Sequence, residues 1–187
     1  MSRRALVPLA HGCEELEAVT VIDLLRRAGI EVVAAGLAPG VVQASRGVSL
    51  NPDTALDAVA EERFDLVALP GGAAGAERLE GDARVLELLQ RHYAAGAWIG
   101  AVCAAPRVLA GAGLLAGRRA TAFPGHLEAH GVEPAAEPVV VDGPIVTSRG
   151  PGTAMDFALR LIVLLCGEDK AAEVESGLQR PPAHRAF

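Results

Sequence analysis

The feature that most constrains this chain is a repeated alternation of short apolar runs with helical patterns. Ala5 to Ala10, Ile30 to Gly36, Phe64 to Leu69 and Ala97 to Val102 are each of strand length and nearly free of polar residues. Strands that stay apolar on both faces are those of a parallel sheet covered by helices on its two sides. The predicted class is therefore α/β, with a mostly parallel sheet and helices on both faces. In such sheets ligands bind outside the carboxyl ends of the strands.

Between the runs, residues 14–29 have helical period, with acidic residues in the first turn, Arg26 and Arg27 in the last, and Gly29 as the stop. Residues 41–53 read as short strands or a hairpin. Residues 53–63 read as an amphipathic helix capped by Asp53 or Thr54, and 76–96 as one long helix. In the second half, 118–124 is a predicted strand, and Asp142-Gly143 marks a hairpin between two further strands. A long apolar helix ends at Cys166-Gly167, a last amphipathic helix covers 169–178, and the end of the chain is expected to be a loose tail.

Within this frame the stretch AWIGAVCAAP, Ala97 to Pro106, stands out. The apolar run meets Cys103 and passes into small residues and a helix with no polar linker, which is a nucleophile elbow in outline. The strained turn would leave Cys103 at the carboxyl edge of the sheet, near N–H groups that favour a thiolate. A buried core cysteine is the alternative on local sequence. Two other features point to the same edge. Projected at about 100° per residue, Glu17 falls within the apolar stripe formed by Val21, Leu24, Leu25 and Ala28, while Glu15 points the opposite way. A carboxyl there is protonated or hydrogen-bonded, unless its tip reaches solvent from the first turn. Gly71 and Gly72, at the end of the third run, free backbone N–H groups to face a ligand.

Composition narrows the partners. A net charge of −6 argues against nucleic acid or an acidic membrane. Nothing approaches the roughly 20 apolar residues of a membrane span. The run after Arg3 and Arg4 meets His11 and Glu14 too soon for a secretory signal. With three cysteines, an odd number, no disulfide framework is expected, and a cytoplasmic protein is the default. Cys13 is expected to be a surface thiol and Cys166 core filler. The five histidines share no metal-ligand spacing, so no metal or other cofactor is expected. His126, His130 and His11 are each candidates to approach Cys103 as a base.

The blocks HGCEELEAV, RRAGIEVVAAGL, SRGV, ALPGG, GAVCAAP and TSRGPGTAMDFAL, in this order, resemble the ThiJ/PfpI superfamily, in the branch of bacterial YajL and the Parkinson-disease-associated protein deglycase. The resemblance runs from about Arg4 to about Val174. It implies one flavodoxin-like domain over 1–187, with 175–187 as the loose tail, acting as a homodimer. It implies Cys103 as nucleophile, Glu17 as a protonated carboxyl bonded to the sulfur, and Gly72 and Ala104 as oxyanion donors, with Gly71, His126 and Arg46 as accessory candidates. Phe123 stands where some relatives carry a histidine near the cysteine, Ala105 follows the bacterial pattern, and Ala44 and Asn51 replace further cysteines of the human relative.

The activity so implied is a cofactor-free glyoxalase or deglycase acting on methylglyoxal, glyoxal or glycated protein side chains. Its alternative is a redox sensor or chaperone whose Cys103 becomes a sulfinate. A cysteine amidase or protease ranks third, because Phe123 removes the family's usual imidazole.

Overall fold

The computed structural model describes residues 3–181. The chain begins with β1 (Arg4–Leu9), α1 (Glu15–Arg27) and β2 (Glu31–Gly36), and continues through a small antiparallel hairpin, β3 (Val42–Gln43) and β4 (Ser49–Leu50). After β5 (Thr54–Ala55) come β6 (Leu66–Leu69), α2 (Ala73–Glu80), α3 (Ala83–Ala94), β7 (Trp98–Val102) and α4 (Pro106–Gly111). The second half supplies β8 (Val139–Asp142), β9 (Ile145–Ser148), α5 (Ala154–Cys166) and α6 (Glu168–Leu178).

Seven strands form one sheet in the order β5-β2-β1-β6-β7-β9-β8, parallel except for β8, which pairs antiparallel with β9. This is the expected α/β fold. Helix α1 packs on α5 and α5 on α6, while α2, α3 and α4 pack among themselves, giving the two helical layers. Every residue of β6 is buried, as its unbroken apolar run requires. Helix α5 lies so close to β7 that a Cβ on Gly100 would come 2.9 Å from the Phe157 ring. No described helix is long and apolar enough to cross a membrane.

Four expectations need correction. Residues 53–63 form no amphipathic helix. The Asp53 N–H donates to Ala34 O and its carboxylate accepts from Ala34 N, both at 2.8 Å, so the segment joins the edge of β2 as β5 before a single 3-10 turn. The helix expected over 76–96 is two helices, because Asp82 caps α3 by accepting from Arg84 N at 3.0 Å. Residues 118–124 form no strand, since β9 is already flanked by β7 and β8. Thr121 instead donates its N–H to the Thr147 hydroxyl oxygen and its own hydroxyl to the Ala135 carbonyl. The tail does not start at residue 175: α6 runs to Leu178, Glu175 is buried, and Arg180 forms an ion pair with Asp156 at 2.7 Å. Residues 182–187 of the expected tail lie outside the described residues.

Candidate functional site

Three carboxyl ends meet at the candidate site. Strand β7 ends at Cys103, whose φ of +63° is left-handed, a geometry costing about 1–2 kcal/mol for a residue with a side chain. Hydrogen bonds on both sides hold the turn: Cys103 N donates to Ser148 O at 2.9 Å, and Cys103 O accepts from Phe123 N at 2.8 Å. Only 8% of Cys103 is exposed, so the sulfur sits at the floor of a cleft.

Helix α1 delivers Glu17 to this floor. The helix starts there because Glu14 caps it, its carboxylate accepting from Glu17 N at 2.8 Å. Glu17 is wholly buried, and its Oε2 accepts from Gly71 N at 2.8 Å. Its Oε1 is buried without a partner in ordinary hydrogen-bond geometry, yet Glu17 and Cys103 are close enough to perturb each other's titration. Burial pushes the Glu17 pKa up to about 7, against the opposing pull of the Gly71 N–H and of Cys103. Burial likewise pushes the Cys103 thiol up to about 12, with the charge of Glu17 as the second cause. The expected bias toward thiolate is present in the Gly72 and Ala104 N–H groups, which lower the thiol pKa, but burial outweighs them. The pair therefore prefers to keep at least one proton.

Strand β6 contributes the glycines. A Cβ on Gly71 would stand 2.7 Å from both Cys103 Cβ and Glu17 Oε2, so only glycine lets the two side chains meet. Gly72 has φ +84°, and a Cβ there would lie 2.3 Å from Gly12 O. The N–H groups of Gly72 and Ala104 are turned toward the sulfur, and neither is used in the backbone hydrogen bonds of the described residues.

A cavity of about 580 Å³ opens above the sulfur, lined among others by His11, Glu14, Arg46, Gly72, Arg78, Cys103, Ala104, Phe123 and His126. Cys103, Glu17, Gly71, Gly72 and Ala104 thus come together, while Arg46 and His126 stand on the wall. His126 is half-buried edge-on to Phe123, with ring centroids 6.2 Å apart. Burial, then the charge of Arg107, holds its imidazole below the usual range. His130 pairs with Glu80 at 3.2 Å, and His11 Nδ1 accepts from Gln43 N at 3.0 Å. Among the described residues, no histidine is hydrogen-bonded to Cys103 and no group of His, Cys, Asp or Glu is placed to hold a metal ion.

Three readings of single residues change. Cys13 is fully buried, because its loop is pinned by Ser45 N donating to Cys13 O at 2.8 Å and by Gly75 packing against it, whereas Cys166 is the exposed cysteine. Glu15 is not a solvent-facing residue either. Its carboxylate accepts from the Ser45 hydroxyl and from Arg46 N, both within 2.9 Å, and so fixes the loop that carries Arg46 over the cavity. Burial opposes ionisation, but these hydrogen bonds keep the Glu15 pKa below its ordinary value. The signal in the sequence was an acidic residue facing a Ser-Arg-Gly turn, which is legible only once the two are known to touch.

Sequence and structure comparisons place these features among known proteins. The chain is 44% identical to Protein dj-1beta of Drosophila melanogaster over 95% of this chain and 97% of the relative. It is 35% identical to the glutathione-independent glyoxalase DJR-1.2 of Caenorhabditis elegans, over 84% and 85% of the two chains. Drosophila melanogaster DJ-1beta superposes with a TM-score of 0.92 at 43% identity, over 97% and 100% of the two chains. Oxidized Toxoplasma gondii DJ-1 superposes at 0.90 and 41% identity, over 95% and 98%. The DJ-1/PfpI family model matches residues 3–164. With the elbow, the buried carboxyl and the glycine pair in one cleft, this chain belongs to the DJ-1/PfpI family.

Proposed function

We propose that the protein is a cofactor-free glyoxalase in which Cys103 and Glu17 convert a 2-oxoaldehyde to a 2-hydroxy acid. The observation that carries this reading is the Glu17 carboxyl, wholly buried beside Cys103, with a pKa of about 7. A group of that pKa gives and takes a proton at neutral pH. The name of the nematode relative, a glutathione-independent glyoxalase, supports the substrate class.

The chemistry balances as follows. With the pair's single proton on Glu17, the Cys103 thiolate adds to the aldehyde carbon, and the carbonyl π electrons move to the oxygen, facing the Gly72 and Ala104 N–H groups. Glu17 protonates that oxygen, giving a hemithioacetal and a carboxylate. The carboxylate removes the proton from the former aldehyde carbon and delivers it to the neighbouring carbonyl carbon, while the hydroxyl proton passes from the first oxygen to the second. The product is a thioester of a 2-hydroxy acid, which water hydrolyses to regenerate the thiol. One carbon is oxidised as its neighbour is reduced, so no external redox partner is needed. Early glyoxal adducts on protein side chains offer the same hemiacetal-type carbon. The test is lactate formation from methylglyoxal without glutathione, which Cys103→Ser should abolish; retained turnover would overturn the reading.

A second role for the same sulfur is as a peroxide sensor. Thiolate attack on peroxide gives a sulfenate and water, and a second peroxide gives a sulfinate, whose oxygens Gly72 N, Ala104 N and protonated Glu17 would hold. Intact mass and peptide mapping after mild peroxide should place the sulfinate on Cys103. Earlier oxidation of Cys166, the exposed cysteine, would remove this role.

We also propose that the working unit is a homodimer joined through α1. Leu16 and Val19 are 51% and 49% exposed on the side of the helix away from its buried stripe. Sedimentation of a monomer at micromolar concentration would contradict this.

A further inference from the structure

The chain as a whole carries a net charge of −6, yet the lining of the cavity over Cys103 includes two arginines against one glutamate, Glu14. Arg78 is preset: its Nη1 donates to His11 O at 3.1 Å and to Ala74 O at 3.0 Å, which holds the exposed guanidinium against the cavity wall. Its remaining N–H groups make no described contact within the protein. Arg46 is held through its backbone by Glu15. The acidic groups nearby are already committed, Glu14 to the N-cap of α1, Glu15 to the Ser45–Val48 loop, and Glu17 to Gly71. His11 accepts at Nδ1, so a neutral ring carries its proton on Nε2.

We propose that Arg78 is a specificity-determining residue, and that the preferred substrates are 2-oxoaldehydes or their adducts bearing a carboxylate or phosphate, seated on Arg78 and Arg46 while the carbonyl meets Cys103. This rests on the reading of Cys103 as the carbonyl-attacking nucleophile. A guanidinium with free donors matches both oxyanions, pairing bidentately where geometry allows.

Two measurements test it separately. The first needs no enzymatic turnover: the rate of Cys103 alkylation by iodoacetate relative to iodoacetamide, read by peptide mass. Arg78→Met should lower this ratio about tenfold, and Arg78→Lys by much less, because the charge survives. An unchanged ratio in Arg78→Met overturns the proposal. The second compares kcat/KM for 4,5-dioxopentanoate, for 2-oxo-3-phosphooxypropanal and for methylglyoxal. The first two distinguish carboxylate from phosphate as the recognised group, and the preference for at least one of them over methylglyoxal should fall in Arg78→Met. Turnover with no anion preference sinks this inference and leaves the glyoxalase reading standing. A lowered alkylation ratio with no turnover of any of the three does the reverse.

Discussion

The charge of Glu17 is, after burial, the strongest force holding the proton on Cys103. The two side chains therefore act as one titrating unit, in which either group ionises more readily while the other is neutral. A neutral isostere at position 17 should expose that coupling. In Glu17→Gln the Cys103 thiol should titrate well below the value of about 12 that it has beside an ionised Glu17, because the repulsion is gone and the Gly72 and Ala104 N–H groups remain. The thiolate absorbance near 240 nm, followed against pH, checks this; an unmoved curve would refute the coupling. Lactate formation in the same variant should fall by about 10²–10⁴, the worth of a positioned acid–base group.

The same carboxyl makes stability depend on pH. Its folded pKa of about 7 lies above its ordinary value of 4.5, so the native state binds the proton more tightly than the unfolded chain. The contribution is fully present below pH 4.5 and is lost as pH rises through 7. At pH 8 wild-type protein should be less stable than Glu17→Gln by up to about 3 kcal/mol, with the gap closing toward pH 5. Urea unfolding of both at the two pH values is the measurement.

Gly71→Ala should damage the site and the fold together. The added methyl would sit 2.7 Å from Cys103 Cβ, Glu17 Oε2 and the Val102 carbonyl at once. A loss of about 1–3 kcal/mol is expected for such overpacking, with activity lost even where the protein remains folded at 20 °C or so. Thermal melts and the methylglyoxal assay separate the two effects.

The left-handed backbone at Cys103 gives an unusual ranking of substitutions. Glycine adopts φ near +63° without the Cβ penalty, so Cys103→Gly should be more stable than Cys103→Ala by about 1 kcal/mol. At an ordinary strand end the order would be reversed. Chemical denaturation of the two variants decides it.

Arg180 closes a buried ion cluster, 2.7 Å from Asp156 and 3.7 Å from Glu175, with all three side chains at most 12% exposed. Arg180→Met would remove the guanidinium that the two buried carboxylates share, and a loss of about 3–5 kcal/mol is expected. Urea unfolding beside Arg180→Lys, which keeps the charge, is the measurement; a deficit as large in Arg180→Lys as in Arg180→Met would count against the charge argument.

How much the sequence disclosed followed from which forces act locally. The four short apolar runs and the amphipathic α1 were readable because burial imposes a pattern on consecutive residues. The Asp142-Gly143 hairpin was readable because its turn chemistry is local. Residues 53–63 and 118–124 misled because their fate is decided by distant partners, the backbone of Ala34 in one case and Thr147 in the other. The candidate site showed the same division. Glu17 betrayed itself by lying on an apolar stripe, and Cys103 by the abrupt strand-to-helix turn. The roles of Glu15 and Arg78 depend on contacts with residues 45–48 and His11, which no period encodes.

The hydrogen bonds that frame Cys103 also set an order of events. The turn is held by Ser148 and Phe123, and Glu17 beside it by Gly71, so the centre joins chain positions that span residues 17 to 148. A nascent or partly unfolded chain has the cysteine without the arrangement around it. The arrangement around Cys103 is thus a report on completed assembly, absent until the strand ending at Ser148 has docked and lost again when that strand detaches.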